Sequence, residues 1–592
     1  MKKHYETHVE DTDKLISVAG PILEYKSWYE QYRKLMEEQA QRKYGLYTPT
    51  SEGDDDDFPS IPGTIARYSA LGLTNEEMSK NPVWVDKTGN GHDLQMKNFA
   101  WGGMSGVNGY VQNFNYFRNN ATVDKVRIDE QSSNSIKVTL LTSGMGHVIY
   151  IPKNIYQFNK SYFIKISSEG YNEGDLFLSF YAPSTSTATT VKVPLNPNGI
   201  TEIPAIKEDD FLAVYLFNAA GKVGSITIEQ LPLYPGALVF DGVDDYGVCD
   251  NFPILTKEKG YTVVALRQWI STGEGIRGLV SNVKNWFKDG AFILEYSYTK
   301  NSYFNRPVSF GAIGGEKDLP HILTYQTSKS YNGVSIAVGS FIGTDQLYVG
   351  KIDNIIGNCT NAAIWELVFL DHDATEEELT KIKDYFIKTY PWLFPDQSWT
   401  VVGKTNEDED RATIANITGN GNDLVLSNFG FAEGSGYNEE GEYAGYLVTD
   451  GVDDKIVSSS FGMGKDFTIV GDWKFIDNKK SGTGLVKGSS FYIYNTITGL
   501  DLYINSGSVK NSLDGIKSIN AACSDGRAYD RNWNEILANT GNVVGSGGTL
   551  EISSSGGRFD RIAFKNLAIY PRILSKDDCI KAYNYLQTLK AK

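Results

Sequence analysis

Three sequence landmarks occur twice in this chain, in the same order each time. They are a glycine-rich turn, an aspartate turn, and a strand followed by a capped helix, found at 88–94 and 418–424, at 241–246 and 450–455, and at 367–379 and 567–579. An ordered recurrence of this kind indicates an internal duplication, which constrains the fold more than composition does. We therefore expect two similar domains.

The spacing between the copies is unequal and indicates an insertion. The first landmarks lie 330 residues apart, the second 209 and the third 200. The first copy thus carries about 120 extra residues, which is the length of a small domain rather than a loop. This predicts a first repeat at 61–110 plus 236–395, an inserted domain at 111–235 and a second repeat at 396–592.

Composition narrows the class of protein. Hydrophobic residues make up 41% and charged residues 22%, and 59 glycines with 36 tyrosines suit a chain rich in strands and turns. A net charge of −16 without a basic run argues against nucleic-acid binding. No apolar run approaches the roughly 18 residues of a membrane span. The start of the chain lacks the apolar core of a signal peptide, so we expect no signal peptide. The charge and the lack of a long apolar run lead us to expect neither nucleic acid nor membrane as a partner.

The cysteines and histidines give no metal-binding spacing. Cys249, Cys359, Cys523 and Cys579 lie far apart, and the six histidines are equally scattered. Free thiols are therefore favoured over a disulfide framework.

Residues 111–235 alternate short strand-like segments with turn residues. The segments at 135–141, 162–166, 176–181 and 211–217 are rich in aliphatic and aromatic residues, and breaks such as NPNG at 196–199 separate them. Several short strands at this spacing predict a small β-sandwich. The insertion resembles a carbohydrate-binding-module sandwich.

Residues 1–60 predict an N-terminal helical arm followed by an acidic linker. Its apolar and aromatic residues recur three and four positions apart, as in a heptad seam: Leu15, Val18, Ile22, Tyr25, Tyr29, Tyr32 and Met36. A helix packed on its own domain would show the same stripe. The linker with its acidic run at 54–57 separates the helix from the next domain, which favours a docking or self-associating arm.

Paired aspartates in the two aspartate turns are candidates for chemistry or metal binding. Asp244 and Asp245 recur as Asp453 and Asp454. Neighbouring strand residues point to opposite faces, so such a pair would not flank one scissile bond unless the turn bent it. A tight turn in which Asp caps backbone NH groups is favoured, with a calcium ion as the alternative. No other cofactor is expected.

These landmarks together resemble a laminin-G-like module. The resemblance rests on the TGNGxDL turn, on FDGVDDY at 240–246, and on the late strand with its Ser- or Thr-capped helix. It covers both repeats and implies a concanavalin A-like jelly roll in each. The second repeat departs from it where Thr449 and Lys455 replace Phe and Tyr. The expected fold class is therefore all-β: two jelly-roll sandwiches, an inserted sandwich in the first, and a helical arm before them.

The residues that would make this fold a hydrolase are missing from the sequence. Hydrolases of this fold carry Glu-x-Asp-x-Glu along one strand, and the nearest match, at 407–410, has the wrong spacing. There is no GxSxG and no P-loop, so we predict no catalytic residue and no enzyme. Exposed tryptophans could stack on sugar rings, although most tryptophans in a sandwich are core. The binding candidates are Trp84, Trp101, Trp269 and Trp473, with Trp365 also considered.

Duplicated modules with a Gly-x-Thr-Asn-Glu lead-in, here at 72–76 and 403–407, are similar to virion-surface proteins of tailed phages, the crAss-like group in particular. The similarity implies a non-enzymatic fibre or capsid decoration protein, assembled in the host cytoplasm and located in the virion. Its arm would bind other virion proteins as a homo-oligomer, with a trimer favoured. Its sandwiches would bind host-surface or mucus glycans. The alternatives are a bacterial glycan-binding surface or secreted protein, and a glycan-cleaving enzyme of this fold.

Overall fold

The computed structural model describes residues 57–591 apart from several internal segments. Those segments are 121–124, 185–187, 210, 257, 272–276, 283–291, 300–301, 307–312, 317–321, 336–343, 353–358, 478–484, 488–490, 496–498, 505–509, 515–517, 538–547 and 556. The arm predicted at 1–60, with its seam from Leu15 to Met36, lies outside the described residues up to position 56.

The chain divides into two compact units. The first comprises residues up to Phe58 together with Thr88–Gly91, and the second comprises Pro59–Lys87 and His92–Lys592. In the first unit, the turn holds Gly89 and Gly91 at φ of +75° and +84°, and the Asn90 amide donates a hydrogen bond to Thr88 Oγ1 over 3.3 Å. The strands and helices of both repeats and of the insertion lie in the second unit.

The first repeat begins with four strands and one helix. They are β1 (Thr64–Ser69), α1 (Asn75–Lys80), β2 (Val83–Trp84), β3 (Leu94–Lys97) and β4 (Gly106–Val107). A short 3-10 turn at Phe114–Tyr116 then leads into the insertion. Its strands are β5 (Arg118–Asn119), β6 (Val126–Gln131), β7 (Ser135–Leu140), β8 (Gly146–Pro152), β9 (Tyr162–Ser168), β10 (Leu176–Tyr181), β11 (Val191–Pro194), β12 (Ile200–Ile203), β13 (Ala213–Asn218) and β14 (Gly224–Gln230).

The inserted strands form two antiparallel sheets of their own. Their orders are β11-β10-β13-β8-β5 and β12-β9-β14-β7-β6. Among the residues described, these ten strands pair only with one another. Aliphatic and aromatic side chains between the two sheets, such as Ile136, Leu178 and Leu216, make a core separate from those of the repeats. The described residues of 118–230 therefore contribute no paired strand to the sheets of the first repeat.

The first repeat continues after the insertion. Its strands are β15 (Leu238–Asp241), β16 (Tyr246–Cys249), β17 (Thr262–Ser271), β18 (Arg277–Gly278), β19 (Val280–Ser281), β20 (Ile293–Thr299), β21 (Ser302–Arg306), β22 (Ile313–Glu316), β23 (Leu323–Thr327), β24 (Ser330–Tyr331), β25 (Val334–Ser335), β26 (Leu347–Val349) and β27 (Asn361–Leu370). Helix α2 (Glu376–Thr389) and a 3-10 turn (Pro391–Leu393) end it. The sheet orders are β25-β24-β23-β17-β27-β15-β4, with β1 also on β27, and β2-β3-β16-β26-β19-β20-β21-β22, with β18 on β20.

The second repeat follows the same plan. Its elements are β28 (Gln397–Thr400), β29 (Thr413–Ile414), β30 (Leu424–Ser427), β31 (Gly436–Asn438), β32 (Tyr446–Val448), β33 (Lys455–Ser458), β34 (Thr468–Phe475), β35 (Leu485–Lys487), β36 (Phe491–Asn495), β37 (Gly499–Ile504), β38 (Lys510–Asp514), β39 (Ile519–Cys523), β40 (Ala528–Asp530), β41 (Glu535–Leu537), β42 (Leu550–Ile552), β43 (Ser554–Ser555), β44 (Arg558–Phe559), β45 (Ile562–Tyr570) and α3 (Lys576–Gln587). Its sheets run β31-β32-β45-β34-β39-β40-β41, with β28 on β45, and β29-β30-β33-β42-β35-β36-β37-β38. Strands β43 and β44 form a separate pair.

The strand pairing confirms the all-β class: the described sheets are antiparallel sandwiches and the helices are few. The jelly-roll assignment of each repeat stays a prediction. Helices α2 and α3 begin at the predicted caps, where Thr375 accepts from the Glu378 amide and Ser575 from the Asp578 amide. The four cysteines are free and buried, as the sequence favoured. No helix in the described part of the chain is long and apolar enough to cross a membrane.

Helix α3 connects the second repeat to the inserted domain. The Tyr583 ring packs edge-on against Phe163 of β9, with centroids 5.3 Å apart, and the Asn584 side-chain amide donates to the Pro232 carbonyl over 3.1 Å. Phe163 lies on the outer side of its sheet, because its neighbour Ile164 belongs to the core. The second repeat therefore contacts one outer face of the inserted sandwich at Phe163.

Candidate functional site

The aspartate turns are held by the same hydrogen bonds in both repeats. In the first, Asp245 is fully buried and accepts from the Asp241 amide and from Ser105 Oγ, each over 3.0 Å. In the second, Asp454 accepts from the Asp450 amide over 2.7 Å and from Ser435 Oγ over 3.1 Å. The second Asp of each pair thus closes the turn from inside.

The first Asp of each turn caps it from the outside. Asp241 Oδ1 accepts from the Val243 amide and Asp450 Oδ1 from the Val452 amide, each over 2.7 Å. These are Asx turns, in which a short side chain replaces a backbone acceptor. The predicted capping of backbone NH groups is present in both copies.

The middle Asp of each turn is exposed and is tied to the rest through its backbone. The Asn98 side-chain amide donates to the Asp244 carbonyl over 3.0 Å, and Asn428 donates to the Asp453 carbonyl over 2.9 Å. Asn98 and Asn428 both adopt positive φ, +68° and +69°. The Asn-Phe that closes each glycine-rich landmark is therefore a structural contact to the aspartate turn.

The acids predicted as candidates for a calcium site lie close together in both turns. One carboxylate oxygen from each of Asp241, Asp244 and Asp245 lies within 4.8 Å of the others, and Asp450, Asp453 and Asp454 repeat this cluster. Burial raises the pKa of Asp245 to about 7 and that of Asp454 to about 6. Both oxygens of each buried Asp already accept hydrogen bonds, so the turn accounts for these acids by itself. Calcium binding stays a prediction.

The Gly-x-Thr-Asn-Glu lead-in is also structural. The Asn75 side chain clamps Val107 by accepting from its amide over 2.7 Å and donating to its carbonyl over 3.3 Å. Asn406 clamps Tyr437 in the same way, with both distances 2.8 Å. The motif thus joins the start of each repeat to the second strand after its glycine-rich turn, which is β4 in the first repeat and β31 in the second.

The tryptophan candidates do not form a binding surface. Trp84, Trp269 and Trp473 are 0%, 6% and 1% exposed, and Trp365 is equally buried. The prediction that these rings stack on sugars is corrected, because a sugar ring needs an accessible aromatic face. Trp101 is only partly buried, but its ring stacks on Phe99 with centroids 4.7 Å apart. The candidates are spread over two repeats and the structure brings no two of them to one exposed site.

A cluster of aromatic side chains lies elsewhere, on the inserted sandwich. Strand β10 alternates Leu176, Leu178 and Phe180 toward the core with residues 177, 179 and 181 on the opposite side. The same side of the sheet carries partly buried aromatic residues from three adjacent strands. This aromatic face comprises Phe177 and Tyr181 of β10, Tyr215 and Phe217 of β13, and His147 and Tyr150 of β8.

The rings of the aromatic face contact one another across the strands. His147 lies at the centre, 4.3 Å from the Tyr215 ring centroid at an angle of 32°, and it meets Tyr181 and Phe217 edge-on at 5.2 Å. Tyr150 lies 5.6 Å from Tyr215 at 33°. The packing fixes the rings in place, so they form a preorganised surface rather than independent side chains.

Charge and burial modify this surface. Lys192 Nζ lies 4.4 Å above the Phe217 ring and 5.9 Å from the Phe177 ring, within cation–π range. Burial lowers the pKa of His147, and the charge of Lys192 lowers it further. Burial raises the pKa of Tyr215, with smaller contributions from Tyr150 and Tyr181. Near neutral pH the face therefore offers the neutral imidazole of His147 and the protonated phenol of Tyr215.

The sequence predicts β10 and β13, but it predicts neither β8 nor the face that the three strands share. The segments at 176–181 and 211–217 were predicted as strands, and no residue in them was selected. The available signal was the placement of aromatic residues at alternate positions, 177 and 181 on one strand and 215 and 217 on another. Only the pairing of β10 with β13 and of β13 with β8 brings them together.

Comparison with known proteins does not assign a family. No family model matches the chain, and no curated protein matches it. A Trypanosoma rangeli sialidase in complex with sialic acid is similar at 9% identity, over 79% of this chain and 85% of that chain, with a TM-score of 0.23. Another structure of that sialidase matches at 8% identity, over 77% and 83%, with a TM-score of 0.25.

The binding domain of botulinum neurotoxin serotype D is similar at 10% identity, over 58% of this chain and 89% of that chain, with a TM-score of 0.22. A likeness this weak carries no argument about function. The laminin-G-like and phage resemblances therefore stay predictions.

Proposed function

We propose that the protein is a non-catalytic glycan-binding protein and that the aromatic face of the inserted sandwich is its binding surface. The observation that carries the proposal is the row of partly exposed rings across β10, β13 and β8. The C–H groups of a pyranose ring pack on aromatic faces, and tyrosine hydroxyls at the margins can bond to the sugar hydroxyls. An extended sheet face suits a chain-like glycan better than a closed pocket does.

The position of the aromatic face supports this use. The opposite sheet of the inserted sandwich contacts the second repeat: Phe163 meets Tyr583 of α3, and Glu202 pairs with Arg531, which follows β40, over 2.9 Å. These contacts hold the domain in place, while the aromatic face lies on the other side of the sandwich. A rigidly mounted surface loses little conformational entropy when it binds.

Glycan binding is tested with the full chain on a glycan array, followed by affinity electrophoresis in gels that contain the polysaccharides it recognises. Tyr215→Ala removes the ring that contacts most of the others and should weaken binding on the order of tenfold. Tyr246→Ala is the matched control, because Tyr246 is a partly buried tyrosine of the first repeat with Lys351 Nζ 4.9 Å from its ring. Loss of binding in Tyr246→Ala but not in Tyr215→Ala would move the site to the aspartate-turn edge. Absence of binding to every glycan would reject the function.

We further propose that the protein acts in a phage virion as a fibre or decoration protein and adheres to host-surface or mucus glycans. The support is the resemblance of the duplicated modules and the heptad seam at 15–36, which lies outside the described residues. Mass spectrometry of purified virions tests the location. Deletion of residues 1–50 should leave folded sandwiches that no longer join particles. Incorporation of the truncated protein at the normal copy number would show that the arm is not the anchor.

The alternatives predict other results. A bacterial surface or secreted glycan-binding protein would be found on cells or in the medium, and not in virions. A glycan-cleaving enzyme would release reducing ends from a polysaccharide that the chain binds.

A further inference from the structure

We propose that the aromatic face selects acidic polysaccharides, whose sugar rings stack on it while their carboxylate or sulfate groups meet cations at its two edges. The inference rests on the proposed glycan binding and adds the chemical class of the ligand. Lys192 stands on the edge strand β11, opposite Ser179 of β10. Arg118 stands on the other edge strand, β5, opposite Tyr150 of β8. Directly opposed residues share a sheet side, so both cations border the rings.

The two edge cations keep their charge available. Arg118 Nη1 donates to the Asn115 and Phe117 carbonyls, over 2.6 and 2.9 Å, which fixes the guanidinium without neutralising it. Lys192 is exposed and lies over the Phe217 ring. Within the described part of the chain, neither residue forms an ion pair with a carboxylate.

The face itself carries no acid. The described strand positions on this side of the sheet, from Arg118 on β5 through Tyr150 on β8, Tyr215 on β13 and Phe177 on β10 to Lys192 on β11, include no aspartate or glutamate. Two of the acids near the strand ends are paired: Asp175 with Lys222 at 2.6 Å and Glu208 with Lys153 at 3.6 Å. The chain as a whole has a net charge of −16. A cationic, acid-free surface on so acidic a protein favours an anionic ligand.

A buried hydroxyl adds a polar partner within the face. Ser179 is fully buried between Phe177 and Tyr181, and its Oγ has no hydrogen-bond partner among the described residues. Buried polar side chains are nearly always hydrogen-bonded in folded proteins. A ligand oxygen would accept a hydrogen bond from this hydroxyl once the side chains that cover Ser179 move apart on binding.

The proposal is tested with polysaccharides that differ only in charge. Polygalacturonate is compared with its fully methyl-esterified form, which has the same backbone without the carboxylates, and dextran sulfate with dextran. The full chain should bind the two anionic polymers and not their neutral counterparts, and binding should weaken as NaCl rises, because salt screens exposed charges. A preference within the anionic pair identifies carboxylate or sulfate as the group recognised.

Variants at the edges assign the effect to this surface. Lys192→Gln and Arg118→Gln should each weaken binding of the preferred polyanion by about fivefold, the upper end for one exposed ion pair. Lys137→Gln is the control, since Lys137 is a partly exposed lysine on the other sheet, paired with Glu130 at 3.3 Å. It should leave binding unchanged. An equal loss in all three variants would indicate general charge attraction and overturn the proposal.

The remaining outcomes separate the two proposals. Equal binding of charged and neutral polymers, still lost in Tyr215→Ala, would overturn acid selection and leave glycan binding intact. Absence of binding to any of these polymers and to the glycan array would overturn both. Self-association in sedimentation velocity that Tyr215→Ala abolishes would show that a second copy occupies the face, which would also overturn both.

Discussion

Arg531→Met should destabilise the second repeat by about 3 kcal/mol at pH 7, the lower end for breaking a buried ion pair. The reason is Asp472, whose side chain is 0% exposed and accepts from Arg531 Nη1 over 2.8 Å. Without the guanidinium, the partners left to the Asp472 side chain among the described residues are the Tyr446 hydroxyl at 2.9 Å and the more distant Lys565 ammonium at 3.8 Å. Lys565 still offsets part of the buried charge, so we expect the lower end of the range.

The pH dependence of this loss identifies its cause. Burial alone would raise the pKa of Asp472, but Arg531 and Lys565 hold that pKa below its ordinary value. In the native protein the ionised carboxylate therefore contributes stability above the unfolded pKa of about 3.9, and this contribution is lost as the pH falls further. In Arg531→Met the burial is less compensated, so Asp472 gains a proton at higher pH. The deficit should shrink from about 3 kcal/mol at pH 7 to about 1 kcal/mol at pH 4.

Hydrogen exchange measured by mass spectrometry reports the opening free energy of each domain separately, which suits a chain with several domains. Peptides covering β34 and β45 should lose protection in Arg531→Met, while peptides of the first repeat should not. Glu202→Gln is the matched control, because Glu202 pairs with the same guanidinium at 2.9 Å but is 28% exposed. It should cost less than about 1 kcal/mol. Equal losses in the two variants at pH 7, or an Arg531→Met deficit that does not shrink on acidification, would refute the reasoning.

Three further outcomes are expected. Gly242→Val should cost about 1–3 kcal/mol, read as a lower melting temperature, because φ is +81° and a Cβ would lie 2.7 Å from that of Asn361; an unchanged melting temperature would show that the turn does not need glycine. Asn406→Ala should cost about 1–3 kcal/mol and speed exchange of the Tyr437 amide, whereas Glu407→Ala beside it, whose side chain is exposed, should do neither. No reducing ends should appear from any polysaccharide that the chain binds; cleavage that is lost when the exposed Asp of an aspartate turn becomes Asn would contradict the non-catalytic function.

The sequence predicted the all-β class because alternating strands and turn residues are local signals. It also located both helix caps, since Thr375 and Ser575 with an acid three residues later form a local pattern. The aspartate turns were readable for the same reason: their Asp residues bond to amides two and four positions away. Structural features whose contacts lie within a few residues of one another can be predicted from the sequence.

Features that depend on the pairing of distant strands could not be predicted from the sequence. Trp269 is a plausible sugar platform by sequence, yet its indole donates to Glu295 over 2.7 Å in the interior. The buried carboxylate lies on a strand of the opposite sheet. The aromatic face could not be predicted because its rings come from strands that are far apart in the sequence. Tyr150 and Tyr215 are 65 positions apart and become neighbours only when β8 pairs with β13. Sequence gives the side of a strand but not which strand lies beside it.

The residues named above that the two repeats share mostly form structural hydrogen bonds. Ser105 and Ser435 both hold the buried Asp of an aspartate turn, and Asn75 and Asn406 both clamp the backbone of a neighbouring strand. A residue that forms the same hydrogen bond in both copies indicates a role in the fold that the copies share. A binding surface is better sought where the copies differ, and the largest difference is the inserted sandwich. The two sheets of the insertion differ in their surroundings. One contacts α3, and the other carries ordered aromatic rings and, within the described residues, cations without a carboxylate partner. Rings and such cations together are the features that suit the charged sugar chain we propose as the ligand.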